Sequence, residues 1–170
     1  PTSAAGLPRL AGATLTGAYP FATLDFQDPS LPVQVSLEAY TPLVPLDADD
    51  SGLPCAIFTY TVTNPGPERV RLTIVGSLFN PVGGVGFDRF GNLASAGLGG
   101  NINELREDGA ARGLLLRSER YAPTDRLYGD MALVTDHPTV TAKRAWLRGA
   151  WWDFLQEFWD DLSEDGMLTD

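Results

Sequence analysis

Ile57-Phe58-Thr59-Tyr60-Thr61-Val62-Thr63 is the run of sequence that decides the fold. It is dense in β-branched and aromatic residues, which fit a pleated, half-buried surface better than a helix. Asn64-Pro65-Gly66-Pro67 follows it and is turn material. Beyond the turn, Val70, Leu72 and Ile74 alternate with Arg71 and Thr73 in a second run reaching Leu78. Two patterned runs joined by a short Pro/Gly turn predict a β-hairpin over 57–78.

Working toward the N-terminus, Val33, Val35 and Leu37 alternate with Gln34, Ser36 and Glu38, bracketed by Asp28-Pro29-Ser30 and Thr41-Pro42. This predicts a half-buried strand. Leu15, Gly17, Tyr19 and Phe21, then Leu24 and Phe26, follow a rough period of two that Pro20 interrupts. Lacking an N–H, Pro20 is expected to bend that strand or hold it at a sheet edge. Residues 1–12 read as a lead-in to a single domain over 13–170.

Toward the C-terminus, Pro81 to Asn103 holds Gly83, Gly84, Gly86, Gly91, Gly97, Gly99 and Gly100 with little periodicity. It reads as a long loop, and loops of that length in compact domains are usually functional or packed against another domain. Strands are expected again at Gly113–Ser118, Gly129–Thr135 and around Val140–Trp146. Trp151, Leu155, Phe158, Trp159 and Leu162 then fall at helical spacing, with acidic residues opposite and Gly166 suited to a left-handed C-cap. Strands followed by one amphipathic helix, without βαβ alternation, predict a mainly β chain, an antiparallel β-sandwich.

Composition narrows the function. A formal net charge of -10 argues against nucleic acid as a partner and against an anionic membrane surface. No run of about 18 apolar residues predicts a membrane span, and no signal peptide is visible. A soluble, cytoplasmic chain is the expectation, and an opening Pro1 in place of Met suggests a processed or excised segment. Cys55, the single cysteine, sits in the apolar run Cys55-Ala56-Ile57-Phe58 and reads as a buried, inert thiol.

Candidate chemistry is thin. Gly84-Val85-Gly86-Phe87-Asp88-Arg89 begins like a dinucleotide fingerprint, but Arg89 occupies the place of the third glycine and no helix pattern follows. Asp47, Asp49, Asp50 and Ser51 offer oxygens to a Ca²⁺ ion, yet the EF-hand spacing is missing and a solvated turn is the simpler reading. His137, the sole histidine, lies in the turn Thr135-Asp136-His137-Pro138 without a nucleophile elbow to serve. No pair among the acids is singled out for glycosidic chemistry, so no catalytic residue, metal site or cofactor is expected. Of Trp146, Trp151, Trp152 and Trp159, Trp152 lies off the apolar stripe and is the candidate for an exposed, sugar- or partner-facing ring.

One stretch is more specific. Leu43-Val44-Pro45-Leu46-Asp47-Ala48-Asp49-Asp50-Ser51-Gly52-Leu53-Pro54, followed by Phe58 to Asn64, resembles the N-terminal domain of the non-lysosomal glucosylceramidase and bile-acid β-glucosidase family, glycoside hydrolase family 116. Tyr19-Pro20-Phe21, the strand from Leu31 to Pro42, Gly113 to Leu116, and Trp152-x-x-Leu155-x-x-Phe158-Trp159-Asp160-Asp161 with Gly166 beyond are similar too, so the resemblance spans about Tyr19 to Gly166. It implies a β-sandwich of galactose-mutarotase-like (supersandwich) type preceding an (α/α)₆ barrel, with the upstream part of the family's sandwich missing. It also implies a retaining hydrolase of β-glucosides, glucosylceramide included, hence a place in carbohydrate and sphingolipid metabolism. Both catalytic carboxylates belong to the barrel, so none is carried over here. The partner implied is that barrel, with β-glucosides at the interdomain cleft. Loops on a rigid scaffold carry recognition, which selects Asp47, Asp49 and Asp50 in the acidic turn, Asn80 and Asn101 at the ends of the Gly-rich loop, and Trp152. A free-standing carbohydrate-binding module remains the alternative.

Overall fold

The computed structural model describes residues 6–87, 89, 91, 94–147 and 153–170, the side chain of Ser95 excepted. It divides into two compact units, Pro1–Arg71 and Leu72–Asp170. Among the described residues, seven antiparallel strands in two sheets, with one long C-terminal helix, make the chain mainly β, in the antiparallel sandwich class expected from the sequence.

The first unit holds one sheet in the order β1 (Gly12–Ala18), β2 (Phe21–Gln27), β3 (Gln34–Tyr40) and β4 (Ile57–Thr63). Directly paired residues share a face, so the register sorts the side chains. Leu15, Leu24, Leu37 and Tyr60 form one row, flanked by Ala13, Phe26, Val35 and Val62 and by Gly17, Ala22, Ala39 and Phe58. The opposite face carries Thr16, Thr23, Glu38 and Thr59, and Thr14, Asp25, Ser36 and Thr61. At the end of that polar face, Phe21, Tyr40 and Ile57 make a third row, with the Phe21 and Tyr40 rings 5.1 Å apart and tilted by 52°. Leu37, on an inner strand of the apolar face, is buried.

Two expectations about this unit are corrected. Leu15 to Phe26 is not one strand bent at Pro20. Tyr19-Pro20, joined by a cis peptide, is the two-residue turn between β1 and β2. Nor is 57–78 a hairpin: β4 pairs with β3, and no strand is assigned over 64–80. The β-branched pattern of 70–78 is not enough to make a strand, because a ladder needs a partner, and the chain here crosses from the first unit into the second. Asn64 organises the departure: its Nδ2 donates to the Glu68 carbonyl (2.7 Å), and its Oδ1 accepts from the Gly66 N–H (3.1 Å).

The second unit holds β5 (Asn101–Asp108), β6 (Ala111–Ser118) and β7 (Asp130–Thr135) in that order, followed by α2 (Asp153–Asp165). Leu116 on central β6 is the most completely buried large side chain among the described residues. Gly113 is required on that strand, because a Cβ there would lie 2.1 Å from the Leu133 carbonyl oxygen. On α2, Phe158 is buried beneath Trp146, whose ring stacks on it at 5.0 Å and meets Phe154 at 5.5 Å. Gly166 ends the helix as expected, with φ +81° and its N–H on the Leu162 carbonyl.

Here too the sequence reading needs amendment. The Gly-rich loop ends at Gly100, since Asn101 to Asp108 is a strand, and 140–146 is irregular. Thr141 and the side chains of Lys143 and Arg144 instead bond α2 and the residues that follow it.

Candidate functional site

The Gly-rich loop is fastened at its base by three asparagines. Asn80 is buried, and its Nδ2 donates to Asn103 Oδ1 (2.8 Å), to the Arg117 carbonyl (3.1 Å) and, more weakly, to the Ile102 carbonyl (3.3 Å). Its Oδ1 accepts from the Val82 N–H (3.1 Å) and from Asn101 Nδ2 (3.2 Å). Asn101 Nδ2 also donates to the Val82 carbonyl (3.0 Å), while its Oδ1 accepts from the Gly99 N–H (2.9 Å). Asn103 completes the knot by donating to the Arg144 carbonyl (2.6 Å). Buried amides are stable only when satisfied, and in Asn80 every donor and acceptor position is occupied. Asn80 therefore has no polar group left for a ligand; it shapes the loop.

The far side of the loop is held by residues 118–121. Ser118 Oγ donates to the Gly99 carbonyl (2.7 Å), Arg120 Nη1 to the Leu98 carbonyl (2.7 Å), and Tyr121 Oη to the Gly97 carbonyl. The two ends of the loop approach so closely that a Cβ on Gly97 would sit 1.9 Å from the Gly83 oxygen. Between these anchors Val85 and Phe87 are exposed, Phe87 to 76%. The base of the loop is thus fastened while two large apolar side chains on it are left exposed.

The acidic turn lies in the first unit and is a separate device. Asp47 N-caps the four-residue helix α1 (Ala48–Ser51), its Oδ1 accepting from the Asp49 N–H (3.1 Å) and the Asp50 N–H (3.0 Å). Ser51 Oγ accepts from the Val44 N–H (2.9 Å) and donates to the Val44 carbonyl (3.0 Å), closing the turn. Leu46 rides at its tip in the left-handed region (φ +68°) with its side chain fully exposed. Asp47 thus serves the backbone, and Asp49 and Asp50 head a short helix where acids are favoured.

Of the residues singled out in the sequence, the structure joins Asn80 to Asn101 and Asp47 to Asp49 and Asp50, and Trp152 lies outside the described residues. Cys55 is exposed, contrary to the expectation of burial, because it precedes edge strand β4 and faces no neighbouring strand. His137 Nδ1 lies 2.9 Å from the Thr139 carbonyl oxygen and 3.2 Å from the Thr139 nitrogen, across its own turn. Among the described residues no group of three or more His, Cys, Asp or Glu could hold a metal ion, and no helix is long and apolar enough to cross a membrane.

Sequence reasoning missed Asn103, whose place two residues beyond Asn101 puts both on one face of β5, and it missed the charged network on the opposite face. There Glu104 pairs with Arg117 (2.7 Å) and Arg106 (2.5 Å), and the Arg117 and Arg106 bonds hold its carboxyl below the usual range. Asp28 is lowered similarly by the Ser30 hydroxyl and N–H, and Asp161 by the Thr169 hydroxyl and N–H. Each of these groups is held by protein partners, which suits shaping and anchoring more than proton transfer.

A family model described as beta-glucosidase 2, glycosyl-hydrolase family 116 N-term, matches residues 5–170.

Proposed function

The chain belongs to the N-terminal domain family of the glycosyl-hydrolase family 116 β-glucosidases, and from that premise we propose that it acts as the non-catalytic scaffold of a retaining β-glucosidase or glucosylceramidase. In this reading it packs on an (α/α)₆ catalytic barrel of the same protein. The 43–52 turn and the 81–100 loop shape the rim of the substrate cleft.

The observation that supports it is the apolar face of the first sheet. Leu15 is 66% exposed, Phe58 60% and Tyr60 43%, and all three stand in adjoining rows of one face. Clustered large apolar groups left facing solvent mark a surface made for another polypeptide. Leu46 and Phe87, exposed on two fastened loops, are contacts of the same kind.

The test uses the full-length enzyme and an aryl β-glucoside. Turnover should depend on residues 1–170, and L15E/F58E should abolish it while the isolated chain, itself inactive, keeps its β-sheet circular dichroism. Robust turnover by the isolated chain would refute the reading.

One observation favours a second reading, a free-standing carbohydrate-binding module. Tyr19 is 87% exposed beside the Phe21–Tyr40 pair, and the adjoining polar face is lined with hydroxyls and carboxylates. Aromatic rings next to polar groups suit sugar stacking. Calorimetric binding of a β-glucoside to the chain alone, lost in Tyr19→Ala, would establish this reading in place of the first.

A further inference from the structure

Lys143 is the one lysine in a chain with eleven arginines, and its side chain is only 10% exposed. Lysines are buried when paired, and this one meets three partners. Its Nζ lies 2.6 Å from Glu157 Oε1 and 3.8 Å from Asp161 Oδ2 on α2, and it donates to the Thr169 carbonyl at 2.9 Å. An ammonium offers three donors about a point, whereas a guanidinium offers a planar fork. Acceptors diverging from two segments need the former, which explains a lysine where the chain otherwise uses arginine.

The bond to Thr169 is one of a series. Thr73 Oγ1 donates to the Gly166 carbonyl (2.8 Å), and the Met167 N–H donates to Asp165 Oδ1 (2.8 Å). The Leu168 N–H donates to Thr141 Oγ1 (3.0 Å). Thr169 gives its N–H (2.9 Å) and hydroxyl (2.6 Å) to the Asp161 carboxylate. The Asp170 carboxylate accepts the Arg144 N–H (2.9 Å) and pairs with the Arg144 guanidinium. Every residue from Gly166 to Asp170 is therefore held by a side-chain hydrogen bond. An irregular exposed segment ordinarily frays; this one is fixed residue by residue to Thr73, to α2 and to the 141–144 stretch.

We propose that Lys143, Asp161 and Arg144 form a clasp that fixes the 166–170 segment against α2 and the 141–144 stretch, and so holds the surface that this segment presents to the catalytic barrel. The inference rests on the scaffold reading above. It makes these three residues positioning residues for a reaction carried out elsewhere in the protein.

The test is made in the full-length enzyme with Asp161→Ala, Lys143→Met and the milder Lys143→Arg and Thr169→Val. Hydrogen exchange over 167–170 should quicken by about tenfold or more, while the amides of β6 keep their protection. Aryl β-glucoside turnover should fall in kcat by about tenfold, since misplacement by about 1 Å can lower rates up to about a hundredfold. Lys143→Arg should fall between wild type and Lys143→Met in both readouts. Unchanged exchange, or quickened exchange with unchanged kcat, overturns the clasp. Loss of β6 protection in all four variants overturns it as well, since the residues would then serve only folding. If turnover by the wild-type enzyme does not require residues 1–170 at all, the scaffold reading fails and takes the clasp with it.

Discussion

Asn80→Asp is nearly isosteric, yet it inverts the chemistry of the asparagine knot. The wild-type Nδ2 faces three acceptors: Asn103 Oδ1 at 2.8 Å, the Arg117 carbonyl at 3.1 Å and the Ile102 carbonyl at 3.3 Å. A carboxylate oxygen in that place would oppose three oxygens with no proton between them, in a residue that is 8% exposed. Loss of these bonds, with buried acceptors left unpaired, is expected to destabilise the second unit by about 3 kcal/mol at pH 7. The pH dependence carries the sharper signature. The buried aspartate disfavours its charged form, so its folded pKa should lie above the unfolded value of about 3.9. Below that unfolded value the protonated acid can donate one bond, and the deficit relative to wild type is smallest. The deficit then grows by about 1.4 kcal/mol per pH unit until the folded pKa is passed, and levels off above it. Urea unfolding followed by tryptophan emission, from pH 3 to 8 in both proteins, measures the difference. A variant within about 0.5 kcal/mol of wild type across that range would refute both the amide orientation and the role of the knot.

Leu46→Asn should stabilise the first unit by about 0.5–1 kcal/mol in urea unfolding, because asparagine tolerates the left-handed conformation that leucine resists, and a fully exposed side chain forfeits no burial; a loss of stability would contradict the account of the turn. Gly97→Ala should destabilise the second unit by about 2 kcal/mol or more, as a Cβ 1.9 Å from the Gly83 oxygen must part the two backbones, and proteolytic nicking within 81–100 should accelerate; unaltered nicking would deny the close approach. The Glu104 carboxyl, held below its ordinary 4.5 by Arg117 and Arg106, contributes stability that is present above pH 4.5 and lost as pH falls through the lowered folded value. Glu104→Gln should therefore show a shallower acid limb than wild type, and identical acid limbs would remove the network from the stability of the sheet.

How much of this could be read in the chain differs from element to element. β4 was legible to its end residues because Ile57 to Thr63 is β-branched and aromatic throughout, and β6 and β7 because their leucines and valines stand in short apolar runs. β5 was not, because Asn101-Ile-Asn-Glu-Leu-Arg-Glu-Asp is poor in strand formers and becomes a strand through its ladder with β6. One signal was available: the two turn residues are Gly109-Ala110, and Gly109, at φ +58°, supplies the glycine that a two-residue hairpin favours at its first central position. The hairpin over 57–78 failed for the complementary reason. Alternation specifies extended backbone and two faces, but it does not specify which strand lies alongside, and the partner of β4 is β3, reached across the 41–56 connection.

The same limit governs the site. Asn80 and Asn101 were identifiable as polar residues flanking a glycine-rich loop, but their meeting depends on a register that pairs Asn101 with Ser118 and Asn103 with Leu116. Lys143 carried a signal of another kind, since a single lysine among arginines is a departure from the chain's own habit. For the apolar face of the first sheet the limit is more basic. Leu15, Phe58 and Tyr60 alternate with threonines in the way that residues facing an internal core would. Period two encodes that a face will be covered and is silent on whether the cover comes from the same polypeptide fold or from another domain. What separates the two cases is exposure in the folded unit, 60% for Phe58 and 66% for Leu15, and exposure exists only after folding. The strands of this sheet are therefore legible in the sequence, whereas the docking face proposed for it becomes visible only when the folded unit leaves that face open.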